Sequence, residues 1–564
     1  MKDGRMFWAD RIAEQVEQRV ERTPELQKVV KERGYICYDE KTPSGRIHIG
    51  SGRGWVIHDT VARALRDRGL LGRFVLSADD MDPMDDLPKD LADPDYWAQF
   101  MGKPFREIPS PEKGFGSFAE YYFAEATRMF PDYGIEADLE STGERYQRGD
   151  FNQTIKIALD NADLIKEIFG RFYETSTMDQ KLPFNPVCEQ CGKIGTTRAY
   201  KWDAEQELLH YRCEPELVTW ATGCGHVGVI RPYDGAGKFP WKVEWAAKWP
   251  TVGVTYETAG KDHFSAGGSR DVSMAISQEV FGYAPPFPSS SKKTDKGWTY
   301  KRGEAYEFFL VSGAKMSSSK GQGFPFSDMT QYAPGNILKF LLVRTRPKTA
   351  INFEPQSDLE RVYRDFDDTQ QKYYQALADT QLLKKDKYFN AKRLYELSHV
   401  GKILPSQPPT VDFSFGVMLV QLTGNTDEAI EALQEKGKLP ADLSPEHRQV
   451  VADRLTFFRH WVNDLAPPEV LIELRTPEDL NLSSEEQSIC ESFVQVVRAT
   501  QTERELVNSF KQIMAEHAIK APEMYQVLYK VLFGSDQGPR LSSYILFAGT
   551  HKVASHVEQV LARN

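Results

Sequence analysis

Two segments of this chain carry residues suited to a polyphosphate. The first, Thr42-Pro-Ser-Gly45-Arg-Ile-His48-Ile-Gly50-Ser51, places a histidine at the start of a helix-like stretch that follows a strand-like one. Helix N-termini present unpaired N–H groups and the positive end of the helix dipole, which suit phosphate. Gly50 has no Cβ and lets an adenine ring approach the backbone. His48 can donate a hydrogen bond to a phosphate oxygen. The second segment, Lys315-Met-Ser317-Ser318-Ser319-Lys320-Gly321, offers two lysines and three hydroxyls on a loop that can wrap phosphates. Taken singly, the first also reads as a structural turn with a surface histidine, and the second as a solvated Ser/Lys/Gly loop.

Two further clusters point to cations. Of the six cysteines, Cys188, Cys191, Cys213 and Cys224 fall close together, and Cys188-Glu-Gln-Cys191 is a CxxC knuckle. In a cytosolic chain such a group suggests metal rather than disulfides. Four thiolates, or three with His226, complete a tetrahedral zinc site filled by protein, hence structural and not catalytic. Cys37, in an expected strand, and Cys490, in an expected helix, are given no role. Asp79, Asp80 and Asp82 cluster at the end of a second expected strand. Ligands of α/β folds sit at the carboxyl ends of strands, and a cation leaving water needs a carboxylate partner. Those acids read equally well as the start of a solvated turn.

These residues need a scaffold. The strand-like GYICYD, the glycine-rich turn, the helical VIHDTVARALRDRG ended by Gly69 and the strand-like GRFVLSADD form a β-α-β unit. A parallel sheet of Rossmann type follows from that order. A helix over residues 6 to 33 is expected to precede it. From Gly149 to Glu174, Ile155, Leu159, Ala162, Ile165 and Phe169 recur at helical spacing. After Pro347 the pattern turns helical, with Leu455, Phe458, Val462 and Leu465 on one face. The length exceeds one hydrophobic core. Hydrophobic residues make 40% and charged residues 27%, a soluble globular balance. The net charge of −11 neither supports nor excludes a nucleic-acid partner, because a local basic track, not the total, decides that. No run reaches the length of a membrane span. The N-terminus mixes acids and bases without the apolar core of a signal peptide, so the chain reads as cytoplasmic.

Together the two phosphate segments resemble the HIGH and KMSKS signatures of class I aminoacyl-tRNA synthetases, in the right order and wide separation. Ser51 and Ser318 stand at the fourth positions of the two motifs, and Lys320 can supply the charge absent from the second. The finer resemblance is to the class I lysyl-tRNA synthetases. It is carried by TPSGRIHIG, FPWKVEWAAKWP, GKDHFSAGGSRD, EFFLVSGAKMSSSKG, the FEP…DFDD segment and GPRLSSYI. Glu40 and Lys41 depart from it, standing where smaller or apolar residues are expected.

The resemblance implies an α/β fold. Residues 1–82 and 236–350 would be the two halves of a Rossmann catalytic domain, 83–235 a connective insertion with a zinc cluster at about 186–230, and 351–564 an α-helical anticodon-binding domain. It implies activation of L-lysine with ATP to lysyl-adenylate and transfer to tRNA(Lys), with Mg2+ accompanying ATP. His48, Lys315, Ser317 and Ser319 would be catalytic. Thr42, Gly45, His48, Gly50, Ser51, Asp262, Lys315 and Lys320 would bind ATP, Asp262 at the ribose. Thr42, Trp241 and His263 would hold lysine, and the strand-end argument adds Asp79 and Asp80. Trp241 also reads as a core tryptophan. A class I synthetase for glutamate, glutamine or arginine, and a paralogue that binds tRNA without catalysis, are the rival readings. Protein partners and oligomeric state are not legible.

Overall fold

The computed structural model describes residues 6–89, 91–174, 181–311, 313–315, 324–474 and 480–563. They form two compact units. The first comprises residues 1–330, 338–353 and 375–403, and the second residues 331–337, 354–374 and 404–564.

The first unit opens with a helix, α1 (Trp8–Glu21), that buries Ala9, Ala13, Val16 and Val20. The single opening helix expected over 6–33 is two helices. Thr23, extended at φ −127° and ψ 97°, precedes Pro24, which begins a second helix, Pro24–Arg33. A residue before proline is disfavoured in the α region, and proline suits a helix's first position. A similar break divides the expected 149–174 helix into Asn152–Asp160 and Ala162–Gly170 at Asn161. The predicted apolar face, Ile155, Leu159, Ala162, Ile165 and Phe169, is buried nonetheless.

Strand β1 (Tyr35–Lys41) lies inside a four-stranded parallel sheet. One neighbour is β2 (Gly72–Ala78), with Tyr35 opposite Gly72 and Lys41 opposite Ala78. Beyond β2 lies β3 (Asp138–Ser141). Helix α2 (Ile49–Asp67) connects β1 to β2 and buries Trp55, Val56, Ile57, Val61, Ala62 and Leu65. It stops where expected, since Gly69 follows at φ +82°, the left-handed conformation that ends helices.

Between β3 and the sheet's last strand comes a three-stranded antiparallel sheet, β4 (Thr197–Asp203), β5 (Leu208–Cys213) and β6 (Val227–Ile230). Helix α3 (Trp241–Lys248) then runs into a π-type turn, Trp249–Gly253, and into β7 (Val254–Tyr256), which closes the parallel sheet beside β1. Among the described residues of this unit, no helix is long and apolar enough to cross a membrane, and the same holds for the second unit.

The second unit contains no strand among its described residues. Its helices pack around Ile489, Phe493, Val497, Leu506, Phe510, Leu528, Ile545 and Val557. Reciprocal side-chain caps start two of them, Ser483 with Glu486 and Thr502 with Glu505. The helix Pro445–Asp464 buries Leu455 and Phe458 of the expected face, but Trp461 is buried in place of the half-buried Val462, and Leu465 lies just past the helix end. Arg454 on the same helix grips Asp367 with two bonds of 2.8 and 2.6 Å.

Candidate active site and metal centre

A cleft of about 260 Å3 opens at the carboxyl ends of β1 and β7. Its walls include His48, Gly50 and Ser51 from the first phosphate segment, and Trp241, Asp262 and His263. Thr42, Gly45, Asp79 and Asp80 lie outside its lining.

His48 immediately precedes helix α2, so the first segment presents a helix N-terminus to the cleft. Three devices hold that terminus. The buried guanidinium of Arg53 donates to the carbonyls of Glu307, Phe308, Arg346, Pro347 and Thr349, at 2.6 to 3.2 Å. Burial lowers its pKa to about 10. Gly54 permits a close approach, because a Cβ there would lie 2.7 Å from Asp39 Oδ2 and 2.8 Å from the Tyr306 hydroxyl. The buried His58 donates from Nδ1 to the Gly54 carbonyl at 2.8 Å and accepts the Thr258 N–H at Nε2, at 3.2 Å.

The same terminus is tied to the flanks of the second phosphate segment. Ile49 N–H donates to the Phe324 carbonyl at 3.0 Å, and Phe326 N–H to the Ile47 carbonyl at 2.8 Å. Arg46 adds a bond to Asp328 at 2.6 Å. At the other flank, Lys315 ends a two-residue strand paired with Phe309–Val311, and Phe309 lines the cleft. Ser317, Ser319 and Lys320 lie outside the described residues, but the chain on either side of them is anchored at this cleft.

The opposite wall is aromatic. Trp241 stacks on Trp245 with ring centroids 5.5 Å apart, and His263 meets both edge-on at 5.4 and 5.7 Å. Trp241 is 40% exposed, whereas Trp245 is buried. The core reading of Trp241 is therefore excluded by the structure, and Trp245 takes that place. Buried Glu257 accepts from the indoles of Trp245 and Trp249 at 2.8 and 2.6 Å and from Arg270 at 2.9 Å. Arg270 lies 5.0 Å from the Trp245 ring and 4.7 Å from that of Trp249, a cation–π support for the wall. Sequence reasoning missed Trp245, Glu257 and Arg270. The Trp241, Trp245, Trp249 spacing of four in WKVEWAAKW was the available signal for the first.

The strand-end acids are occupied by the fold. Asp80 accepts from the Ser141 hydroxyl at 2.6 Å and the Gly143 N–H at 2.7 Å, which starts the helix Thr142–Gln147. Asp79 is buried and paired with Lys238 at 3.1 Å and Lys248 at 3.5 Å. Burial pushes its carboxyl up, but the two ammonium groups hold it below the usual range. Thr42 donates to Asp82 at 2.8 Å, and Asp82 in turn pairs with Lys238. These residues underlie the cleft rather than face it.

The cysteines converge. The ligand atoms of Cys188, Cys191, Cys213 and Cys224 all lie within 4.8 Å of one another. Sγ of Cys188 is 3.6 Å from that of Cys224, and Sγ of Cys191 is 3.7 Å from that of Cys213. A disulfide needs about 2.05 Å. Four thiolates around one ion at about 2.3 Å lie about 3.8 Å apart. The spacing therefore fits a single tetrahedral cation, and the group could hold a metal. The knuckle forms because the Gly192 N–H returns to the Cys188 carbonyl at 2.8 Å, and Gly225, at φ +79°, returns to the Cys213 carbonyl at 2.9 Å. Of the two ligand sets, the structure assembles the four cysteines. His226 lies outside that group, 3.9 Å from Glu189.

A parallel sheet whose strand ends open on a helix N-terminus is the nucleotide-binding arrangement of α/β enzymes. The model of a family described as tRNA synthetases class I (K) matches residues 6–401. A lysine–tRNA ligase from Methanocaldococcus jannaschii is 31% identical, over 96% of this chain and 98% of that one. One from Picrophilus torridus is 30% identical, over 92% and 95%. Lysine–tRNA ligase 1 of Methanosarcina acetivorans is 32% identical, over 82% and 77%. The chain belongs to the class I (K) family of tRNA synthetases.

Proposed function

We propose that this protein is a lysine–tRNA ligase, which activates L-lysine with ATP and transfers it to tRNA(Lys), releasing AMP and diphosphate. The observation that carries the reading is the cleft itself. A helix N-terminus, with both flanks of a lysine- and serine-rich segment anchored beside it, faces an aromatic wall across the strand ends. The relatives named above, alike along most of their length, carry that activity in their names.

In the first step the lysine carboxylate attacks the α-phosphorus of ATP, forming the acyl-phosphate bond and expelling diphosphate. His48 and the positive dipole end of α2 stabilise the charge growing on phosphate oxygens, with Lys315, Ser317 and Ser319 acting from the second segment and Lys320 adding charge. Gly45, Gly50 and Ser51 shape the nucleotide side, and Asp262 holds the ribose. Mg2+ accompanies ATP without a dedicated protein cage. On the other side Trp241 and His263 embrace the lysine chain, whose methylenes suit indole and whose cation suits a ring face. Thr42, Asp79 and Asp80 support that side from beneath. In the second step the ribose hydroxyl at the tRNA's end attacks the carbonyl carbon, and AMP leaves. Residues 351–564 bind the anticodon arm. The cysteine cluster binds zinc as a structural ion, and the enzyme works in the cytoplasm, where tRNA is charged.

The test is charging of tRNA(Lys) with labelled lysine. Lys315→Ala lowers the activation rate about a hundredfold to a thousandfold while weakening ATP binding far less, the size expected for one preorganised donor. An unchanged rate in that variant removes Lys315 from the mechanism. A protein that binds tRNA but charges it with no amino acid overturns the reading altogether.

A further inference from the structure

Successive residues of a strand point to opposite faces. On β1, Asp39 faces α2, with Oδ2 3.5 Å from His58 Nδ1. Glu40 faces α3, and both Asp39 and Glu40 line the cleft. Glu40 Oε2 accepts a hydrogen bond from Lys248, and Oε1 has no hydrogen-bond partner among the described residues. Lys248 is one turn beyond Trp245 on α3, and Trp241 is one turn before it. The wall thus runs from the exposed Trp241, past Trp245, toward the Glu40–Lys248 pair.

That pair belongs to a buried network short of positive charge. Its carboxylates are Glu40, Asp79, Asp82 and Glu244, and its cations are Lys238 and Lys248. Lys238 lies 3.1 Å from Asp79 and 2.9 Å from Glu244 and also binds Asp82. Lys248 lies 3.2 Å from Glu244 and 3.5 Å from Asp79 and also binds Glu40. The other titratable groups facing it are Tyr146, which donates to Glu244 at 2.7 Å, Tyr38 beside Lys248, Asp80 beside Asp79 with Arg106 3.6 Å from its carboxylate, and Asp85 beside Asp82. Four acids share two cations. Buried carboxylates without a cation each take up a proton rather than stay charged.

We propose that Glu40, braced by Lys248, is the specificity-determining anion for a primary ammonium group of the amino-acid substrate. This rests on the lysine ligase reading. The incoming cation supplies one of the positive charges that the network lacks. Burial pushes the Glu40 carboxyl above the usual range, in spite of Lys248. A cation beside a carboxyl favours its charged form, so binding of lysine lets Glu40 ionise and releases a proton.

The experiment uses the full-length enzyme in three measurements. Glu40→Gln raises KM for lysine about tenfold or more, while KM for ATP stays within about twofold. Calorimetry of lysine binding at pH 7, in buffers of different ionisation enthalpy, shows proton release with the wild type and none with Glu40→Gln. Glu40→Asp, which keeps the charge, retains proton release and shows a smaller rise in KM. The third measurement uses two competitive inhibitors, 6-aminohexanoate, which lacks the α-ammonium, and norleucine, which lacks the ε-ammonium. Glu40→Gln weakens only the analogue that keeps the ammonium Glu40 meets. An unchanged KM for lysine, proton release that persists in Glu40→Gln, or equal weakening of both analogues overturns the proposal. Failure of the lysine reading shows differently, as a wild-type enzyme that activates another amino acid.

Discussion

Two groups of mutually repelling side chains lie in the first unit, and the fold treats them in opposite ways. Under the cleft, Glu40, Asp79, Asp82 and Glu244 are held by the chain's own Lys238 and Lys248. In the antiparallel module, Cys188, Cys191, Cys213 and Cys224 converge without any lysine or arginine bonded to their sulfurs among the described residues. The first set carries two cations for four acids inside the fold, and on the proposal above the substrate adds a third. The second has no such cation from the chain among the described residues, and its four sulfurs could hold a metal ion. Electrostatic satisfaction is needed in both cases, and the side chains around each set show where it comes from.

The sharpest way to break the comparison is to disable the second set. Cys191→Ser reduces the zinc content from about one ion per chain to none, because a structural site needs all four ligands. Binding of such an ion is coupled to local folding. Limited proteolysis then cuts within residues 186–230, which resist it in the wild type. A variant that keeps both its metal and its resistance shows that the thiols are packing groups.

The first set is broken by removing one of its own cations. Lys238→Met leaves Asp79 with Lys248 alone and takes from Asp82 the one lysine it pairs with among the described residues, and removal of one partner of a buried pair costs about 3–5 kcal/mol. The sign of its pH dependence is defined. In the wild type Asp79 is held below its ordinary range, so its contribution is present at neutral pH and is lost as pH falls through that lowered value. In the variant burial acts with less opposition and raises the carboxyl, so the penalty is largest at high pH and shrinks as acid protonates it. Urea unfolding of wild type and variant at pH 5 and pH 8 measures the variant's penalty, since the wild-type contribution of Asp79 stays in place across that range. A loss of equal size at the two values would mean that Lys238 acts through packing alone.

A smaller effect sharpens the substrate side. With Trp241 placed on the amino-acid side as proposed, Trp241→Ala raises KM for lysine roughly tenfold and leaves KM for ATP nearly unchanged. Equal rises in both constants would place Trp241 in the general shape of the cleft.

The contrast also explains what was legible beforehand. The cysteines announce themselves because they fall in one stretch with a CxxC spacing, and only the choice among Cys213, Cys224 and His226 needed the fold. The helix after Gly50 and its stop at Gly69 follow from local chemistry. The network under the cleft was not legible, because residues 40, 79, 82, 238, 244 and 248 meet only when β1, β2 and α3 are assembled. Asp79 and Asp80 therefore looked like substrate ligands, since nothing local reveals that Lys238 and Ser141 already hold them. Trp241 and Trp245 illustrate the same limit. Spacing puts both on one helix face, but only the packing of Glu257 and Arg270 decides which is buried and which is left for a ligand.

The most direct measurement of the account is amino-acid-dependent exchange of diphosphate into ATP, run with tRNA(Lys) present and each standard amino acid in turn. A lysine-specific site gives exchange with lysine far above glutamate, glutamine and arginine, and very little with norleucine, because a site built to meet a polar group rejects an analogue that lacks it. Exchange driven preferentially by glutamate or arginine, or efficient activation of norleucine, would contradict it.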